Sequence, residues 1–269
     1  MNRMNDGERG QVTRSAAEVY DEFFLPALFQ EWTSLVVNTA DIQSAQRVLD
    51  IACGTGVLTI EVADRVGTDG TVIGLDPNEG MLALARRKAP AIEWRQGFAE
   101  SLPFESNYFD AVVSQFGLMF FEDKLTAIKE MHRVLRPGGR LAVAVWDSLE
   151  NTPGYATITD LLQQLFGDEA ANAMRAPYSL GDTQILGTLF TDAGVREAEI
   201  TTHEGTAHFP SISSWVHTDV KGWTLADMID DDQYQRLLKE AEQKLLRFVT
   251  SEGKVAFRAP AHIVTATKV

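Results

Sequence analysis

The sequence predicts an α/β fold: a doubly wound, mostly parallel sheet of seven strands, with helical additions forming a lid over its ligand edge. Three observations carry that prediction. From residue 47 onward, short β-branched and apolar runs alternate with helix-period segments, the pattern of parallel strands joined by crossover helices. The runs are apolar at successive positions, as strands covered on both faces are. Helical stretches before residue 41 and after residue 147 break the alternation, so they read as additions to one sheet.

The run RVLDIA at 47–52 stops at Cys53-Gly54-Thr55-Gly56, which makes it a buried strand entering a tight turn. Residues 57–66 are apolar at 57, 58, 60, 62, 63 and 66, one broad face of a helix that Gly67 ends. A second strand covers 71–76, and Asn78 caps a helix through Lys88. A short third strand covers 92–96, while 98–108 is too short and turn-rich to read as a helix. The fourth strand covers 109–114. A helix at 124–135 precedes the Pro137-Gly138-Gly139 break, and 140–146 is a continuous apolar strand. Beyond it come one or two helices within 151–178 and a helix at 182–193 closed by Gly194. A strand at 195–203, mostly helical chain at 211–251 and a last, antiparallel strand at 257–268 complete the reading. The expected organisation is therefore a lid segment at 1–40, a ligand-binding core at 41–147, and at 148–269 the rest of the same domain. That last part contains cap insertions at 148–180 and 211–251 and the final strands.

Composition narrows the function. The chain has 269 residues, 45% hydrophobic and 23% charged, which excludes a disordered or fibrous protein. Its net charge of −14 argues against nucleic acid, whose binding rests on clustered Lys and Arg. The short Arg86-Arg87-Lys88 spot reads as an answer to a helix dipole. One cysteine, Cys53, excludes an intrachain disulfide and fits a reducing cytoplasm. The polar start MNRMNDGERGQ lacks the apolar core of a signal peptide, and no apolar run approaches the roughly 18 residues of a spanning helix. The expectation is a cytoplasmic protein that acts on small molecules.

Open parallel sheets bind ligands at the carboxyl ends of their strands, where strand order reverses. The first strand ends in DIACGTG, whose glycines admit a ligand close to the backbone. A dinucleotide site wants a third glycine where Thr59 stands, and Asp50 would repel a pyrophosphate while holding a cationic amine. Asp76 ends the second strand, the usual place for a carboxylate that accepts ribose hydroxyls. Together these point to a nucleoside with a cationic amino-acid tail.

VLDIACGTG, GLDPNEGML, GFAESLPFESNYFDAVVSQFGL and RVLRPGGRLAVAVW, in this order and spacing, resemble the class I S-adenosylmethionine-dependent methyltransferases. The chain is most similar to the small-molecule group that includes the ubiquinone/menaquinone-biosynthesis enzymes. The resemblance is strong over 45–147 and weaker over 178–204 and 256–268. It implies a Rossmann-like fold, S-adenosyl-L-methionine as cofactor, and methyl transfer to an O, C or N atom of a small, partly apolar acceptor. Asp50, Ala52, Gly54 and Gly56 would line the methionine portion and Gln115 would contact its amino group. Asp76 would hold the ribose, with Pro77 and Met81 beside the adenine and the Ala99 backbone at its edge. The family usually has Asp where this chain has Phe98; either Phe98 stacks on the base or Glu100 reaches it.

The acceptor side is less legible. Tyr20, Phe24, Phe29 and Trp32 of the first helical segment, with Phe116, are candidates for the substrate pocket, although the segment also reads as a plain amphipathic helix. His203, His208 and His217 are candidates for a general base because histidine titrates near neutral pH; His217 beside Trp215 leads, then His203. No metal is expected, since the five histidines show no ligand spacing. Asp230, Asp231 and Asp232 suit a helix N-terminus better than a metal, and Cys53 a buried filler better than a nucleophile. Phe120, Phe121, Trp215 and Trp223 are core or pocket wall. The turn after the fourth strand, Ser114-Gln115-Phe116-Gly117, lacks the Asn/Asp-Pro-Pro-Tyr/Phe pattern of base and amide methylation. The alternative is a non-catalytic donor-binding sensor or a subunit that activates a partner. The added helices offer a surface for a homodimer.

Overall fold

The computed structural model describes residues 14–221, 225 and 228–269. Trp223 and the first part of the 1–40 segment lie outside the described residues. The chain opens with α1 (Arg14–Val19), a π-helical stretch Tyr20–Phe29 that contains Pro26, and α2 (Gln30–Thr39). The core then alternates: β1 (Arg47–Ile51), α3 (Val57–Val66), β2 (Thr71–Asp76), α4 (Glu79–Lys88), β3 (Glu93–Gln96), β4 (Phe109–Gln115), α5 (Lys124–Val134) and β5 (Leu135–Trp146). After it come α6 (Pro153–Phe166), α7 (Asp168–Arg175), α8 (Thr183–Asp192), β6 (Glu199–His203), β7 (Thr206–Phe209), α9 (Ile212–Lys221), α10 (Asp231–Lys244), β8 (Val255–Arg258) and β9 (Ala261–Thr267).

Seven strands form one sheet in the order β3-β2-β1-β4-β5-β9-β6, and only β9 runs against its neighbours. Strand order reverses between β1 and β4, which pair in parallel through Val48↔Ala111 to Asp50↔Val113. The apolar runs are buried as both-face coverage requires: Val48, Leu49, Ile51, Val112, Val113 and the stretch Leu141 to Val145 are wholly inaccessible. Helix starts use short acceptors for their free N–H groups. Asn78 accepts from Met81 N, Asp123 from Thr126 N and Asp182 from Gln184 N. Asp230 forms a reciprocal capping box with Gln233, so the acidic run at 230–232 begins a helix. Among the described residues no helix is long and apolar enough to cross a membrane.

Four boundaries differ from the sequence reading. The fifth strand starts at Leu135, not Arg140: Leu135 pairs with Phe109, and the register then slips so that Arg140 meets Ala111. Pro137-Gly138-Gly139 is thus a bulge inside a strand rather than a break before one. The last strand divides at Pro260, which has no N–H to continue a ladder; β8 pairs with the unpredicted β7 in a second sheet, while β9 inserts between β5 and β6. The sixth strand begins at Glu199 rather than Val195. The early helix is not a simple amphipathic one, since it widens to π geometry around Pro26.

Candidate functional site

The reversal of strand order places the ends of β1 and β4 side by side. Ala52 (φ 57°) and Phe116 (φ 56°) follow these strands in the left-handed region, a conformation that costs a non-glycine residue ~1–2 kcal/mol. Gly117 makes their proximity possible, because a Cβ there would stand 2.5 Å from the Cβ of Ala52. Strained backbone at two adjacent strand ends marks a candidate ligand site. A cleft opens there, with about 1390 Å³ of space when the open solvent at its mouth is included.

One end of the cleft is acidic. Asp76 is buried and accepts from Gly54 N (2.9 Å) and Asn78 N (2.8 Å). Burial lifts its carboxyl to about 6 against the pull of those two N–H groups. Asp50 lies one strand over. Its Oδ2 accepts from Thr59 Oγ1 (2.6 Å), whereas its Oδ1 is buried without a partner. Burial raises Asp50 to about 7, with the Thr59 hydroxyl opposing and the charge of Asp76 adding to the rise. Gln115 donates from Nε2 to the carbonyl of Phe29 (3.1 Å), leaving Oε1 buried and unpaired. Two unpaired acceptors in one neighbourhood call for a donor or cationic ligand.

The remainder is aromatic. Phe116 and Trp146 stack with ring centroids 3.9 Å apart, and Phe29 packs against both at 5.5 and 5.8 Å. Tyr20 continues the wall from Phe29 at 5.3 Å. Its hydroxyl is pushed above its usual range by burial first and by Asp76 second. Leu28, Phe120, Phe121, Met174, Tyr155, Tyr178 and Asp219 also line the cleft.

Of the residues the sequence singled out, Ala52, Gly54, Asp76, Pro77, Met81, Phe98, Ala99, Gln115, Tyr20, Phe24 and Phe116 line the cleft. Phe98 stands at the rim, 61% exposed. Glu100 also lines it, but its Oε1 accepts from Glu122 N and Asp123 N and so ties down the neighbouring loop. Several candidates do not reach the cleft. Asp50 sits beneath the first loop. Gly56 caps α3 with φ 87°, where a Cβ would meet the Trp94 ring at 2.4 Å. Trp32 lies one layer lower, edge-on to Phe116 and Trp146.

Neither leading histidine is in the cleft. His217 packs against Phe23 (6.0 Å between centroids); positions two apart on a helix do not share a face, and in α9 it is Asp219 that lines the cleft. His203 ends β6, the sheet edge farthest along from the switch point, and hydrogen-bonds Thr201. His208 lies on β7, on a separate surface groove. Tyr155, Tyr178 and Asp219 were not singled out, because no local pattern marks them and only the packing of α6 and α9 brings them together.

Comparison with known proteins agrees with this arrangement. Residues 48–139 match a family model described as a methyltransferase domain. The chain is 33% identical to the demethylmenaquinone methyltransferase of Staphylococcus epidermidis over 211 residues, covering 72% of this chain and 87% of that protein. It is 30% identical to the Lactococcus lactis demethylmenaquinone methyltransferase over 243 residues, covering 82% and 96%. The solved phosphoethanolamine N-methyltransferase 2 of Haemonchus contortus, in complex with S-adenosyl-L-methionine, superposes with a TM-score of 0.63. That match has 17% identity over 98% of this chain and 59% of the other, a likeness of fold.

Proposed function

The chain belongs to the class I S-adenosylmethionine-dependent methyltransferases, and we propose that it methylates an O, C or N atom of a small, partly apolar ring compound. The chemistry is that of its demethylmenaquinone-methylating relatives. One observation carries the reading: a single cleft joins Asp76 and the unpaired Gln115 Oε1 to the stacked Phe116–Trp146 floor.

The residues present fit the donor. Asp76 has carboxylate lone pairs left for two ribose hydroxyls, and Gly54 and Ala52 bring backbone close to the ligand. Gln115 Oε1 answers an ammonium group, and the charge of Asp50 beneath the loop adds to the attraction without contact. Pro77 and Met81 flank the adenine, the Ala99 backbone meets its edge, and the exposed Phe98 ring is free to stack on its face. Gly56 holds the turn against Trp94 without touching the ligand. When bound, S-adenosylmethionine supplies a methyl group on a positively charged sulfur. Phe116, Trp146, Phe29 and Tyr20 keep water out and turn electron-rich ring faces toward that charge. Fixing donor and acceptor in line is the main task, and such alignment can supply ~7–11 kcal/mol.

The core at 41–147 thus carries the donor, with the described parts of 1–40, 148–180 and 211–251 as its cover. The same reading puts the protein in the cytoplasm and gives it a free small molecule, not nucleic acid, as partner. Calorimetric titration with S-adenosylmethionine tests it. Micromolar binding in the parent should weaken about 100-fold or more in Asp76→Ala, since two hydrogen bonds to a charged group are lost. Incubation with a reduced naphthoquinol should then yield a product one methyl heavier. A folded parent that binds no donor would overturn the reading.

A further inference from the structure

The donor residues leave one polar corner of the cleft unused. Tyr155 on α6, Tyr178 in the turn after α7 and Asp219 on α9 all line it. Asp219 is 1% exposed. The Tyr155 hydroxyl donates to its Oδ1 (3.1 Å), while Oδ2 is buried and makes no hydrogen bond. Burial pushes this carboxyl well above its usual range, with the Tyr155 hydroxyl and the nearby Trp215 indole N–H opposing the rise.

The pair is held rigidly. Tyr155 is locked edge-on by Trp215 and Phe257, at 5.6 and 5.5 Å, and faces Tyr178 at 6.0 Å. The neighbouring Trp215 indole N–H is likewise buried and closes no hydrogen bond, so Asp219 Oδ2 is fixed in the wall with its bond unmade; that is costly, and a ligand O–H relieves the cost.

Building on the methyltransferase reading above, we propose that Tyr155 and Asp219 are the specificity-determining pair of the acceptor pocket. They receive a ring hydroxyl whose O–H donates to Asp219 Oδ2, while the apolar body of the ring lies in the aromatic cleft. A site built to pair a hydroxyl rejects an analogue lacking one far more strongly than an apolar wall rejects a missing methylene.

Equilibrium dialysis of the full chain against 1-naphthol and 1-methylnaphthalene, with and without S-adenosylmethionine, tests this. The parent should prefer the naphthol by about tenfold or more. Tyr155→Phe, which keeps the ring packing, and Asp219→Leu should each reduce that preference to about threefold or less, with donor affinity unchanged. A parent that binds both probes equally, or a folded Tyr155→Phe variant that keeps the full preference, overturns the proposal. If donor binding is intact in that case, the methyltransferase reading survives. If the naphthol preference holds but no donor binds, that reading falls and the hydroxyl site stands.

Discussion

Asp50 and Asp76 sit in surroundings that resist their charge. Both carboxyls rise in the fold from 3.8, to about 7 and about 6, so folding favours their protonated forms. The stability they contribute is complete below about pH 3.8 and is lost as pH climbs through 6 to 7. Asp50→Asn removes the Asp50 part and keeps an acceptor for Thr59. The variant should match the parent at pH 4 and exceed it by up to about 4 kcal/mol at pH 8, as read from denaturant unfolding at both values. The same change should weaken donor binding, because it removes the negative charge that lies beneath the ammonium group. A stability difference independent of pH would show that burial does not hold the Asp50 proton. At this scale the sequence was informative about position at the strand ends, where Gly54 and Asp76 line the cleft. It was misleading where function depends on which way a helix turns: His217 and Asp219 lie two residues apart, and only one of them lines the cleft.

The loops after β1 and β4 work as one element. Gly117 in one and Ala52 in the other nearly touch, with a Gly117 Cβ standing 2.5 Å from that of Ala52. Gly117→Ala should therefore push the loops apart, at a cost of about 1–3 kcal/mol, with weaker donor binding. Ala52→Gly removes the opposing methyl and the left-handed strain at once. The double variant should accordingly recover most of the loss, a coupling that a double-mutant cycle of thermal unfolding would read out. Additive effects would mean the loops relax independently. The strands and helices of the core were legible because their apolar periods and end signals are local. The division of the last strand into β8 and β9, with the unforeseen β7, was not. It depends on a partner strand about fifty residues away, and Pro260 marks the division only once that pairing is known.

Across the whole molecule, the segment ahead of the core divides into two roles that its sequence presents as one amphipathic run. Its first part faces the cleft through Tyr20 and Phe24, and Asp21 pairs with Lys88 on α4. Its second part is structural: Val36, Val37 and Ala40 are wholly buried, and Arg140 of β5 donates to the Thr39 carbonyl (3.2 Å). Trp32, on the buried side, props the Phe116–Trp146 stack from below. Truncating it opens a cavity under the floor, so Trp32→Ala should cost about 3–5 kcal/mol of unfolding free energy. Tyr20→Ala removes wall rather than foundation. It should lower stability by less and weaken donor binding by about tenfold, the equivalent of about 1.4 kcal/mol, because the ring stands beside Asp76. Denaturant unfolding and donor titration on the same two samples separate the roles. If Tyr20→Ala were as destabilising as Trp32→Ala and left donor affinity unchanged, the first half of the segment would be core, and the cleft would have no cover on that side.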